Sequence, residues 1–119
     1  MDVKQFIRNY YNSILDPVAV KKFLHQNAGL QWYSLRGYIE INRDEFIGLA
    51  EQLVLKYHSS RFEISHIIVE DNHVSVRYAH HVKTLDSPDI ETVISHTTAI
   101  WELKDDKLFR GYIMTKSDN

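Results

Sequence analysis

The chain has no cysteine. That removes disulfides, thiolate metal sites and a cysteine nucleophile, and it is compatible with a reducing, cytoplasmic setting, the compartment expected for the chain. Nowhere do about 20 apolar residues run together, so no membrane-spanning helix is expected. Lys and Arg form no stripe long enough to follow a row of phosphates, and the formal net charge is only -2. Nucleic acid and anionic membrane are therefore not expected as partners. Glycine is scarce, four in the chain, and none sits in a phosphate-cradling loop, which argues against a nucleotide, and no other cofactor is indicated. The opening MDVKQFIRNYYNSIL carries Asp2, Lys4 and Arg8 and lacks a continuous apolar segment or small-residue cleavage site, so it reads as mature protein.

What is present suits one domain over residues 1–119, since 44% of the chain is hydrophobic and 25% charged. The segment IETVISHTTAIWELKDDKLFRGYIM (90–114) reads as two strands around a polar break at 104–107, with β-branched and aromatic residues alternating on both sides. Residues 62–69 and 74–82 alternate around Glu70-Asp71-Asn72-His73 as another hairpin, and 30–35 reads as a strand stopped by Arg36-Gly37. Three helices are expected before this meander. Asp2 caps the first, with Val3, Phe6, Ile7, Tyr10, Tyr11 and Ile14 on one side. Asp16-Pro17 starts a short second helix ending near His25. Asn42 and Glu45 form a capping box for the third, whose apolar stripe runs from Phe46 to Tyr57. The class is α+β, three N-terminal helices packed in a strongly curved antiparallel sheet.

The two tight turns set the outer ladders, and the looser break at 85–89, readable only to within one residue, is taken to put Val74 and Trp101, Val76 and Ala99, Tyr78 and Thr97, and His80 and Ser95 side by side. Extended outward, the same rows add Ser65 and Glu63 on one flank and Arg110, Tyr112 and Met114 on the other. This face passes from apolar to polar along its length, so its polar end is the expected ligand pocket. Its lining would be Ser65, Tyr78, His80, Ser95, Thr97, Tyr112 and Met114, with a wall from Trp32 or Tyr33. A small hydrophobic or amphipathic molecule fits such a lining. The opposite face would leave Phe62, Ile64, Ile94, Ile100 and Ile113 exposed. A homodimer through that face is the expectation, with cover by the first strand or a terminus as the alternative.

The paired helices of FIRNYYNSILDPVAVKKFL and the closing hairpin TAIWELKDDKLFRGYIM resemble the NTF2-like superfamily and its SnoaL-like branch. The usual aromatic-x-aromatic, Asp-Gly-Lys-Ile ending appears here with Asp106 and Leu108 in place of Gly and Ile. The resemblance covers nearly the whole chain and implies a conical fold, with either catalysis or plain binding inside the cone. Similar isomerases place a base on the first strand and an acid in the sheet. Tyr33 or Ser34, and Ala99, stand at those positions here, which departs from the isomerase pattern.

Among titratable groups His80 stands out, because the unbroken register sets it opposite Glu63 and beside Tyr78. A carboxylate orienting an imidazole is what a general base requires, with Tyr78 donating to a developing oxyanion. The alternative is a mouth histidine hydrogen-bonded to Glu63 without turnover. The sequence thus leaves a noncatalytic binding domain ahead of an isomerase, cyclase or dehydratase. Seven histidines invite a metal reading, yet His80 and His81 point to opposite faces and no ligand spacing occurs, so no metal is expected.

Overall fold

A computed structural model describes residues 1–118. Asp2 caps helix α1 (Val3–Ser13) by accepting from the Gln5 N–H, and the helix buries Ile7, Tyr10 and Tyr11. The expected second helix is reduced to one 3-10 turn, Val20–Lys22. Asp16 does accept from Val18 and Ala19 as a cap should. Propagation then fails because the chain is taken into the sheet, where the Leu108 N–H donates to Phe23 O and Leu24 pairs with Leu108. Two β-branched residues, Val18 and Val20, give the helix little to oppose this.

Strand β1 (Leu24–Ser34) begins earlier than the sequence pattern shows, and β2 (Gly37–Asn42) follows after a tight turn with Gly37 at φ 103°. The capping box at Asn42 and Glu45 is formed, and α2 (Arg43–Lys56) runs from it. Then come β3 (Ser59–Glu70), β4 (His73–Lys83), β5 (Glu91–Lys104) and β6 (Lys107–Ser117). The sheet order is β2-β1-β6-β5-β4-β3, antiparallel throughout except that β1 lies parallel to β6. Its inner face wraps α1 and α2, and Trp101, Val74, Val76, Ala99 and Leu108 fill the centre with Ile7 and Tyr10.

The expected β4–β5 register holds from Val74↔Trp101 to His80↔Ser95. The two outer ladders each slip by one residue at a bulge. In β3 the ladder shifts between Ile64 and His66, so Ile64 faces Tyr78, Phe62 faces His80, and Glu63 faces Ala79. In β6 it shifts beyond Leu108, so Trp101 meets Gly111, Ala99 meets Ile113 and Thr97 meets Thr115. Both shifts have one physical cause. Unbroken ladders would bury Glu63 and the Arg110 guanidinium beside Trp101, and burying unpaired charge costs far more than a bulge. With the bulges in place, Glu63 is exposed, and Arg110 reaches Asn27 O at 2.8 Å.

These slips correct several expectations. Tyr112 and Met114 are on the outer face, as is Tyr33, which packs against Tyr38 at 4.8 Å between centroids. Ser65 sits exposed at the bulge, donating to Arg77 O. Phe62 and Ile64 pack against the core and Ile113 is buried, so none of the three belongs to the outer surface. Ile94 is half-buried at a third irregularity, where β4–β5 pairing shifts past His80. Ile100 does lie outside.

Candidate functional site

The inner face changes from apolar to polar toward the end of the cone where His80, Ser95 and Thr97 are buried. Strand alternation delivers these three from β4 and β5, and the β3 bulge delivers Phe62 beside them. Phe62 stacks on the His80 ring with centroids 4.5 Å apart and planes 22° apart, and Tyr57 at the end of α2 meets the same imidazole edge-on at 6.1 Å. Phe62 also stands edge-on to Tyr78 at 5.6 Å. Trp32, the inward member of the Trp32/Tyr33 pair, closes the other wall from β1.

A chain of polar groups crosses this interior. Trp101 Nε1 donates to the Tyr11 hydroxyl at 3.0 Å, and Tyr11 is in turn hydrogen-bonded to Tyr78, which is bonded to Thr97. Thr97 and Thr115 share a hydrogen bond of 3.0 Å, and Trp32 Nε1 donates to Thr115 at 2.9 Å. Each hydroxyl is thus satisfied by a side chain of a neighbouring element, as buried polar groups require. Burial pushes the Tyr11 phenol well above its usual range and that of Tyr78 up to about 12. Both phenols are neutral donors at physiological pH.

His80 is outside that chain. Burial, and secondarily the charge on His81, lower its imidazole to about 4. The ring is therefore neutral at pH 7, and its Nε2 is buried without a hydrogen-bond partner among the described residues. Glu63 does not approach it. That carboxylate lies on the outer face and meets His81 Nε2 at 3.2 Å, while His81 Nδ1 lies 3.4 Å from Glu91. The expected Glu63–His80 pair is replaced by Glu63–His81 because the β3 bulge exchanges the faces of residues 62 and 63.

Of the residues singled out from sequence, Trp32, Tyr78, His80, Ser95 and Thr97 come together. Glu63, Ser65, Tyr33, Tyr112 and Met114 do not. Phe62, Tyr57, Tyr11 and Thr115 were missing from the expected lining. Tyr57 closes the helix stripe and Tyr11 lies on the apolar side of α1, whereas Phe62 and Thr115 change faces with the bulges. No group of His, Asp or Glu among the described residues is arranged to hold a metal ion.

No protein-family model and no curated protein matches the sequence. Solved structures match it closely in shape. IdmH from Streptomyces antibioticus, a candidate polyketide cyclase, superposes with a TM-score of 0.78 at 8% identity, covering 98% of this chain and 93% of that one. A candidate SnoaL-like polyketide cyclase from Shewanella denitrificans gives 0.74 at 11% identity, covering 95% and 89%. A protein of ketosteroid isomerase-like fold from Catenulispora acidiphila, in complex with trimethylamine, gives 0.73 at 7% identity, covering 91% and 82%. The chain has the NTF2-like fold of these SnoaL-like and ketosteroid isomerase-like proteins, as the sequence resemblance implied.

Proposed function

We propose that the protein is a noncatalytic binding domain for a small, partly aromatic molecule held at the polar end of the cone. The observation that carries this reading is the buried, neutral His80 with Nε2 left without a partner among the described residues, set against Phe62, Tyr57 and Tyr78. A hydroxyl on a planar ligand, able to donate or accept, would satisfy that nitrogen, and Phe62, half-buried at the mouth, is the side chain that would yield to it. Solved relatives in shape include one holding a small amine, which supports small-molecule binding as the fold's use here.

The alternative, proton transfer by His80, has less support. A general base works best with a pKa near the operating pH. The imidazole at about 4 is a weak base, and no carboxylate among the described residues is paired with it to raise it. Titration of the protein with a set of phenols and aromatic amines, followed by the ring 15N signals of its histidines, tests the proposal. Binders are expected to shift Nε2 of His80 and to lose affinity in His80→Phe. If no compound moves that signal, the cone is a filled core and the proposal fails.

A second copy of the chain is proposed to cover the outer sheet face. Tyr112, Met114, Ile100 and Ile68 leave apolar surface there, between 40% and 65% exposed. Ile100→Glu is expected to shift a dimeric light-scattering mass to that of a monomer, whereas a wild-type monomer at micromolar concentration would refute the dimer.

A further inference from the structure

At the end of the cone opposite His80 lies a surface hollow of about 340 Å³, lined by Lys21, Leu24, His25, Arg43, Asp105 and Lys107 among others. It is remote from the proposed interior site. β6 starts at Lys107 beside the hollow and runs 11 residues to Ser117, which pairs with Ser95 at the mouth. At about 3.3 Å per residue the two ends are roughly 30 Å apart.

The hollow gathers cations that are held in place. Lys107 Nζ donates to Lys22 O at 2.6 Å, and Arg43 Nη2 donates to Lys21 O at 3.2 Å. Two consecutive carbonyls leaving the 3-10 turn thus anchor an ammonium and a guanidinium beside the same hollow, with Lys21 as a third cation. The Arg43 Nε–H is buried and has no acceptor among the described residues, so the guanidinium is only partly satisfied. Asp44 offers it only a loose contact, 3.8 Å from Nη1, and is itself exposed.

One carboxylate faces these groups, and it is partly engaged. His25 Nδ1 accepts from the Asn27 N–H at 3.0 Å, which leaves the proton on Nε2, 3.3 Å from Asp105. Two anchored cations and the exposed Lys21 against one acid give the lining a net formal charge of +2 in a chain whose overall charge is -2. Like charges brought together in a concave surface raise the local concentration of anions.

We propose that this hollow binds a phosphate group, free or carried by a small phosphomonoester, with Arg43 and Lys107 as its principal donors and Lys21 at the rim. A phosphate dianion matches the net charge. Its several acceptor oxygens can take the unused Arg43 donors and the remaining Lys107 N–H groups together, which a monovalent anion with fewer oxygens cannot. The site is independent of whatever occupies the cone.

The test is a titration of the full chain with inorganic phosphate and, separately, with phenyl phosphate, in a chloride-matched buffer at constant ionic strength, followed by amide NMR. Saturable shifts are expected at Lys21, Arg43, Asp105 and Lys107. Phosphate alone shifting them identifies a free-anion site, and tighter binding of the monoester identifies a site for a phosphorylated molecule. Arg43→Lys should weaken binding by on the order of tenfold by removing the fork. Asp105→Asn should tighten it several-fold, because it removes the carboxylate of the lining and Asn tolerates the positive φ found there, 53°. A gain of affinity cannot come from misfolding. Absence of saturable shifts, or affinity that ignores both substitutions, overturns the proposal.

Discussion

His80 and His81 are neighbours in sequence with opposite surroundings. On the inner face His80 is stacked on Phe62, neutral, with its Nε2 unpartnered among the described residues. On the outer face His81 has Glu63 at one ring nitrogen and Glu91 at the other, and Arg61 holds Glu91 through a 2.6 Å contact. One residue type on one strand is thus an apolar-packed ring on one side and a member of an ion cluster on the other. The difference comes wholly from the sheet's alternation and from the β3 bulge that sends Glu63 outward. Most polar atoms of the inner face are satisfied by neighbours; among the described residues the Tyr10 hydroxyl and His80 Nε2 are buried there without a partner.

The inner face should break hardest where its packing is tightest. A Cβ on Gly111 would stand 2.6 Å from Trp101 Cζ3, inside van der Waals contact with a ring that has no space to move. Gly111→Val is expected to destabilise the protein by about 3 kcal/mol, as overpacking of a full core does, read as a lower midpoint in urea unfolding. An unchanged midpoint would show the core to be loose.

The histidines provide the next contrast. In the unfolded chain His80 titrates near 6.5, and in the folded chain near 4. Between those values the unfolded state holds a proton that the folded state lacks, so stability is complete above 6.5 and is lost as pH falls toward 4. The loss should approach about 3 kcal/mol, and His80→Leu should remove that part of the pH dependence while leaving neutral-pH stability nearly unchanged. Urea midpoints at pH 4.5 and 7 measure it, and equal slopes in both proteins would show that His80 does not titrate as buried. His81→Ala, on the outer face, should cost under about 1 kcal/mol, because its partner Glu63 is 60% exposed.

Much of the architecture was legible before the structure. The α1 and α2 caps and the long closing hairpin follow from local chemistry, since cap residues and alternating strands declare themselves within a few positions, whereas the β4–β5 register crosses the looser break at 85–89 and was readable only to within one residue. Strand β2 was missed although Tyr38-Ile39-Glu40-Ile41 alternates, and the second helix was overestimated because Asp16-Pro17 marks a start without saying how far the helix continues. The site was legible only in the two central strands. Its flanks depend on where bulges fall, and no local signal marks residues 65 and 109. The charges at Glu63 and Arg110 were the available clue, since an unbroken ladder would have buried both.

Strand β1 also bears on how the chain reaches this state. It has β2 on one side, a few residues away, and on the other side β6, to which Asn27 and Arg110 are tied across 83 residues. During synthesis β1 therefore waits with one edge unpaired until nearly all of the rest has been made. Contacts so distant in sequence slow folding, because loop closure comes before the gain. The N-terminal helix and first hairpin are accordingly the parts that depend on timely completion of β6, and a ribosome stalled before that strand would present an open β1 edge to other chains.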